Sequence, residues 1–87
     1  MRQQKTSGPR FAICVNNFEY PASLELHKIY RVLPDDEATL DGDLRIIDES
    51  GEDYLYPAGY FILLSLPRKV EQVLQASFSP NVQPTAV

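Results

Sequence analysis

Hydrophobic and polar positions alternate along this chain over short stretches that are broken often, a pattern that predicts several short strands and little helix. Phe11-Ala12-Ile13-Cys14-Val15 alternates large and small side chains, so Phe11, Ile13 and Val15 share one strand face. Asn16-Asn17 ends that run, and the stretch to Ser23, with Phe18, Tyr20 and Pro21, reads as irregular loop. Leu24-Glu25-Leu26 alternates again, and Lys28 to Leu33 is a strand that Pro34 stops, because proline cannot donate to a ladder. The acidic stretch Asp35 to Asp43 reads as a loop. Leu44 to Asp48 and Tyr54 to Tyr56 then form a hairpin about Glu49-Ser50-Gly51-Glu52, with Gly51 supplying the positive φ of the turn.

After Pro57-Ala58-Gly59, the segment Tyr60 to Leu66 is strand-like but apolar on both faces, Phe61 and Leu63 on one and Ile62 and Leu64 on the other. Something must cover the second face. Pro67 suits a first helical position, and Val70, Val73 and Leu74 fall at helical spacing, which predicts an amphipathic helix to about Ala76. About ten residues are too few for a helix to persist alone in water, so this one is expected to dock through Val70, Val73 and Leu74. The sum is a mainly β chain, a small bent antiparallel barrel of about five strands with a short C-terminal α-helix.

The length of 87 residues, with 44% hydrophobic and 23% charged, describes one globular domain. No apolar run approaches the ~20 residues of a membrane span, and no signal segment follows Met1, so a cytoplasmic location and no membrane partner are expected. Residues 1–10 read as a flexible basic lead-in, 11–77 as the barrel plus helix, and 78–87, with Pro80 and Pro84, as a flexible tail. The net charge of -4 is unevenly spread. Arg2, Lys5 and Arg10 carry the lead-in, while eleven acids face only Lys28, Arg31 and Arg45 between Phe11 and Leu66. Such a core repels a phosphate backbone and argues against nucleic acid as its ligand.

Leu24-Glu25-Leu26 with Ile29 to Leu33, and Gly51-Glu52-Asp53-Tyr54-Leu55-Tyr56-Pro57-Ala58-Gly59-Tyr60-Phe61, resemble parts of an SH3 domain. In that family a hairpin strand ends in proline, makes one 3₁₀ turn and delivers a tyrosine followed by an apolar residue. Lys28 to Asp35 and Ile47 to Pro57 are also similar to the signature blocks of a family of small uncharacterised bacterial proteins. The resemblance implies an SH3-like barrel and no established activity. SH3 domains grip proline-rich peptides on an aromatic ridge, and Pro57 and Tyr60 match two ridge positions. The family's tryptophan would fall near Gly42 or Asp43 and its two other tyrosines near Cys14 and Asn16, so three ridge positions are lost.

What remains is aromatic density: Tyr20, Tyr30, Tyr54, Tyr56 and Tyr60 with Phe18. Two or three of these can simply fill a small barrel with their hydroxyls reaching solvent; the others suit an interface, where tyrosine offers area with a polar tip. Chemical constellations are sparse. Cys14 is the only cysteine and His27 the only histidine, which excludes an internal disulfide and leaves neither a visible catalytic partner. Asp35, Asp36, Glu37, Asp41 and Asp43 lack the alternate spacing of a calcium loop. The expectation is therefore a non-catalytic protein- or peptide-binding module with no cofactor or metal, contacting its partner through Phe18, Tyr20, Tyr54, Pro57 and Tyr60. A homodimer paired along a free strand edge is a variant of it. The alternative is a regulator of a nucleic acid or small ligand acting through Arg2, Lys5 and Arg10.

Overall fold

The computed structural model describes residues 10–78. The elements run β1 (Phe11–Cys14), β2 (Ile29–Leu33), α1 (Asp36–Leu40), β3 (Asp43–Ile47), β4 (Asp53–Pro57), a 3₁₀ turn (Ala58–Tyr60), β5 (Phe61–Leu64) and α2 (Arg68–Phe78). The five strands form one antiparallel sheet in the order β4-β3-β2-β1-β5. Consecutive strands lie side by side from β1 to β4, and β5 returns to the far side of β1. The sheet is mainly β architecture as expected, but no ladder joins β4 to β5 among the described residues, so the expected barrel is not closed by strand pairing.

Register explains where the core lies. Ala12 sits opposite Tyr30 and Leu63, and Cys14 opposite Phe61. β1 is thus flanked on both sides, and its small inward residues leave room for the rings of its neighbours. Ala12, Cys14, Leu24, Tyr30, Ile46, Tyr56 and Phe61 make the buried cluster, with Tyr20, Val32, Leu44 and Tyr60 packed at its margin. The rings meet edge-on or tilted: Tyr30 and Phe61 at 6.4 Å, Tyr56 and Phe61 at 6.3 Å. These are the offset geometries that aromatic quadrupoles favour.

One local expectation is corrected. Asp35 to Asp43 is not all loop, because Asp35 caps α1: its Oδ1 accepts the Ala38 N–H at 3.0 Å, and Ala38 is buried. Gly42, at φ +84°, ends the helix by donating its N–H to the Thr39 carbonyl. Leu24-Glu25-Leu26, which alternates like a strand, is irregular chain. Leu24 is fully buried there as the plug of a loop, while Leu26 is exposed.

The other face of the sheet carries Phe11, Ile13, Arg31 and Ile62 by the same register. Phe11 is nonetheless fully buried, because Phe78 of α2 stacks on it at 6.0 Å and 25°. The Arg31 guanidinium lies 5.6 Å from the same ring. The helix therefore covers only the Phe11 end of the outer face and leaves Ile62 56% exposed, and it does not dock as expected: Leu74 is half-buried, whereas Val70 and Val73 are 41% and 61% exposed. The reason is length. α2 runs past Ala76 to Phe78, assigned above to the tail, and on a helix Phe78 shares a face with Leu74 and Val70 rather than with Val73. Residues 79–87 and 1–9, including Arg2 and Lys5, lie outside the described residues. Among those described, no helix is long and apolar enough to cross a membrane.

Candidate functional site

The loop between β1 and β2 builds one wall of the aromatic surface, and its asparagines explain its shape. The Asn16 side chain accepts the Phe18 N–H at 2.8 Å, Asn17 Nδ2 donates to the Leu24 carbonyl at 2.9 Å, and the Tyr20 N–H donates to the Asn17 carbonyl at 2.8 Å. These bonds turn the chain back on itself, with Glu19 held at φ +76° between Phe18 and Tyr20. Buried Leu24 anchors the returning limb.

The opposite wall is the 3₁₀ turn that Pro57 introduces and Tyr60 ends. Tyr60 joins the walls twice. Its carbonyl accepts the Val15 and Asn16 N–H groups at 2.8 and 3.3 Å, and its hydroxyl donates to the Phe18 carbonyl at 3.1 Å. Tyr20 stands between, edge-on to Tyr56 at 5.0 Å and to Tyr60 at 6.1 Å. Phe18, Tyr20 and Tyr60, far apart in sequence, thus share one surface, with Pro57 at the start of the turn that carries Tyr60. Phe18 is 69% exposed and Tyr20 and Tyr60 half-buried, so the surface has a fixed floor and a protruding apolar tip. Tyr54 stands apart. It is 60% exposed on edge strand β4, and its ring reaches the group only through that of Tyr56, 6.3 Å away.

Two tyrosines outside the expected set support this surface from beneath. Tyr56 is 3% exposed and donates its hydroxyl to Asp48 Oδ2 at 2.5 Å, while Ser50 N–H and Oγ donate to Asp48 Oδ1 at 2.9 and 2.6 Å. Burial alone would raise the Asp48 carboxyl, but the hydrogen bonds from Ser50 and Tyr56 outweigh it and hold the group below its ordinary value. Burial first, and the Asp48 carboxylate second, push the Tyr56 hydroxyl up to about 12. Tyr30 donates to Glu49 Oε2 at 2.5 Å and accepts the Glu25 N–H at 2.7 Å, and Lys28 Nζ pairs with the same Glu49 oxygen at 2.7 Å. The Glu49 N–H donates to the Ser23 carbonyl at 3.0 Å, so the β3–β4 turn is tied to the loop that carries Phe18 and Tyr20. In the sequence Asp48 and Glu49 read only as the end of a strand and the start of its turn. Their spacing from Tyr56 and Tyr30 carries no sequence motif, and only the fold brings these partners together.

The Tyr60 hydroxyl is raised by burial and then by the charge of nearby Glu19. Asp43 sits opposite Pro57 in the β3–β4 register. The lone thiol and imidazole are placed differently. Cys14 is fully buried, and burial pushes its thiol up; Sγ donates weakly to the Asn16 carbonyl at 3.4 Å. His27 is exposed in a turn at φ +67°, and its backbone N–H donates to the Cys14 carbonyl at 2.7 Å. Among the described residues no three His, Cys, Asp or Glu side chains converge on a metal position. Arg10 lies beside Arg68, Glu71, Gln72 and Gln75 of α2, around an open surface depression. Neither a protein-family model, nor a curated protein, nor a solved structure matches the chain.

Proposed function

We propose that the chain is a small SH3-like domain acting as a non-catalytic binding module that takes a protein or peptide segment on the surface formed by Phe18, Tyr20, Pro57 and Tyr60. The fold reading is supported by the strand order β4-β3-β2-β1-β5 with every pairing antiparallel, and by a strand that ends in proline, passes one 3₁₀ turn and delivers Tyr60 before β5. The observation that carries the function is the hydrogen bond from the Tyr60 hydroxyl to the Phe18 carbonyl beside the edge-on Tyr20 and Tyr60 rings. It fixes two chain segments into one aromatic platform before any ligand arrives, and a platform already ordered costs a ligand less to bind.

The non-catalytic reading rests on chemistry. A nucleophilic cysteine needs an electropositive, accessible setting that favours its thiolate, whereas burial raises Cys14. A histidine acting as a base needs an orienting partner, and among the described residues none hydrogen-bonds the His27 side chain. Selection of a random-peptide display library on the immobilised protein tests the proposal. Enriched peptides should lose binding to Phe18→Ser and Tyr60→Phe while retaining it for Val73→Ser. Peptides that bind all three variants equally, or no enrichment at all, would refute it.

A further inference from the structure

Among the described residues β5 is the end strand of the sheet, paired with β1 alone. The Val15 N–H donates to the Tyr60 carbonyl, and in an antiparallel ladder the direction of the peptide groups alternates residue by residue. Ile62 and Leu64 therefore turn their N–H and carbonyl groups toward β1, and Phe61 and Leu63 turn theirs outward. The Phe61 N–H is taken by the Ala58 carbonyl. Among the described residues the Leu63 N–H and carbonyl and the Phe61 carbonyl are left on the open side.

Open edges are ordinarily guarded by charge or proline. The edge at β4 has both, with Asp53 at one end and Pro57 at the other. β5, Phe61-Ile62-Leu63-Leu64, has neither, and it shows Ile62 at 56% and Leu63 at 44% exposure.

We propose that β5 is the pairing edge of a twofold-symmetric homodimer, in which it lies antiparallel to β5 of a second copy with Leu63 opposite Leu63. Two features choose a second copy as the occupant. The first is charge. The chain carries a net -4, yet eleven of its twelve acids lie from Glu19 to Asp53, and from Phe61 onward only Glu71 stands against Arg68 and Lys69. Two acidic copies can approach along this edge without facing their acidic loops. The second is self-complementarity, since a twofold axis sets each residue against its own strand. Centred on Leu63, the pairing opposes Ile62 to Leu64 and Phe61 to Ser65, so no like charges meet. The Leu63 groups then exchange hydrogen bonds with each other, and the Ser65 N–H reaches the Phe61 carbonyl of the second copy.

The edge is short. A stable interface covers about 800 Å² per partner. β5 has only four residues, of which Ile62 and Leu63 are exposed. The dimer is accordingly a weak one, formed in a concentration-dependent way.

Sedimentation velocity on the full chain over about 5–500 µM tests this, a range that spans the weak end of specific association. The wild type should pass from monomer to dimer. Amide exchange at Leu63 should slow over the same range while that at Tyr20 does not change. Ile62→Lys should stay monomeric with an unchanged far-UV spectrum. Ser65→Pro, which removes only an open-side donor, serves the same purpose should Ile62→Lys fail to fold. Phe18→Ser should dimerise like the wild type, which separates this edge from the aromatic surface. A wild type monomeric throughout, Leu63 exchange independent of concentration, or Ile62→Lys and Ser65→Pro dimerising as well as the wild type would overturn the proposal.

Discussion

Tyr56→Phe isolates the bond on which the floor of the aromatic surface rests. The substitution keeps the ring, and so the edge-on contact with Tyr20 at 5.0 Å, but removes the hydroxyl that donates to Asp48 at 2.5 Å. Asp48 is 6% exposed, so water cannot readily replace the lost donor. A hydrogen bond to a charged group contributes about 1.5–3 kcal/mol. In a domain of this size each kcal/mol moves the melting temperature by about 4–8 °C. Tyr56→Phe should therefore melt at least ~6 °C below the wild type at pH 7, read by far-UV circular dichroism and checked by urea unfolding. The pH dependence supplies the sign. The folded Asp48 carboxyl is held below its unfolded value, so its contribution is complete above pH ~4 and is lost as pH falls through the folded value. Once Asp48 is protonated the Tyr56 bond joins two neutral groups and weakens about twofold. The gap between wild type and variant should narrow accordingly on acidification. A stability within ~0.5 kcal/mol of wild type at pH 7, the level of a neutral surface change, would refute the reasoning. So would a gap that stays constant with pH.

Other outcomes follow from the same geometry. In an alkaline absorbance titration Tyr56 should ionise near 12, with Tyr30 also above its ordinary range, and Tyr56→Phe should delete one late step. Because the folded Tyr56 value is raised, the stability linked to it should be complete below pH ~10 and should disappear as pH climbs toward 12. Gly51→Ala should cost about 1–2 kcal/mol in urea unfolding from backbone strain alone, because Gly51 sits at φ +86° with nothing within 4 Å of an added Cβ. Phe78→Ala should cost about 1–2 kcal/mol by uncovering Phe11, while Val73→Ala stays within ~0.5 kcal/mol. Equal losses for these two would mean that α2 docks through its other face.

The strands were legible because their cues are local. Alternation marks β1 through Phe11 to Cys14, Pro34 halts β2 just beyond Leu33, and Gly51 sets the β3–β4 turn. Pro57 before Ala58-Gly59 likewise announced the 3₁₀ turn that delivers Tyr60. α1 was missed because Asp35 to Asp43 is rich in turn formers, and a cap such as Asp35 with one buried alanine gives too little periodicity to register. The docking face of α2 was misjudged because it depends on Phe78, whose worth appears only when Phe11 lies opposite.

Composition and pattern alone thus determined that the chain is mainly β, where its strands lie to within a residue or two, that a helix follows the last of them, and that it is rich in aromatics and poor in cysteine and histidine. Which tyrosines are buried and which stay at the surface was decided by tertiary pairing. Tyr30 and Tyr56 sink into the core because the β3–β4 turn brings Glu49 and Asp48 to their hydroxyls, and Tyr20 and Tyr60 stay half-buried at the surface because the Asn16–Ser23 loop carries Tyr20 and offers the Phe18 carbonyl to the Tyr60 hydroxyl. Alternation fixes which face a side chain takes within its own strand. It says nothing of which carboxylate, many residues away, will satisfy a hydroxyl once that face is buried.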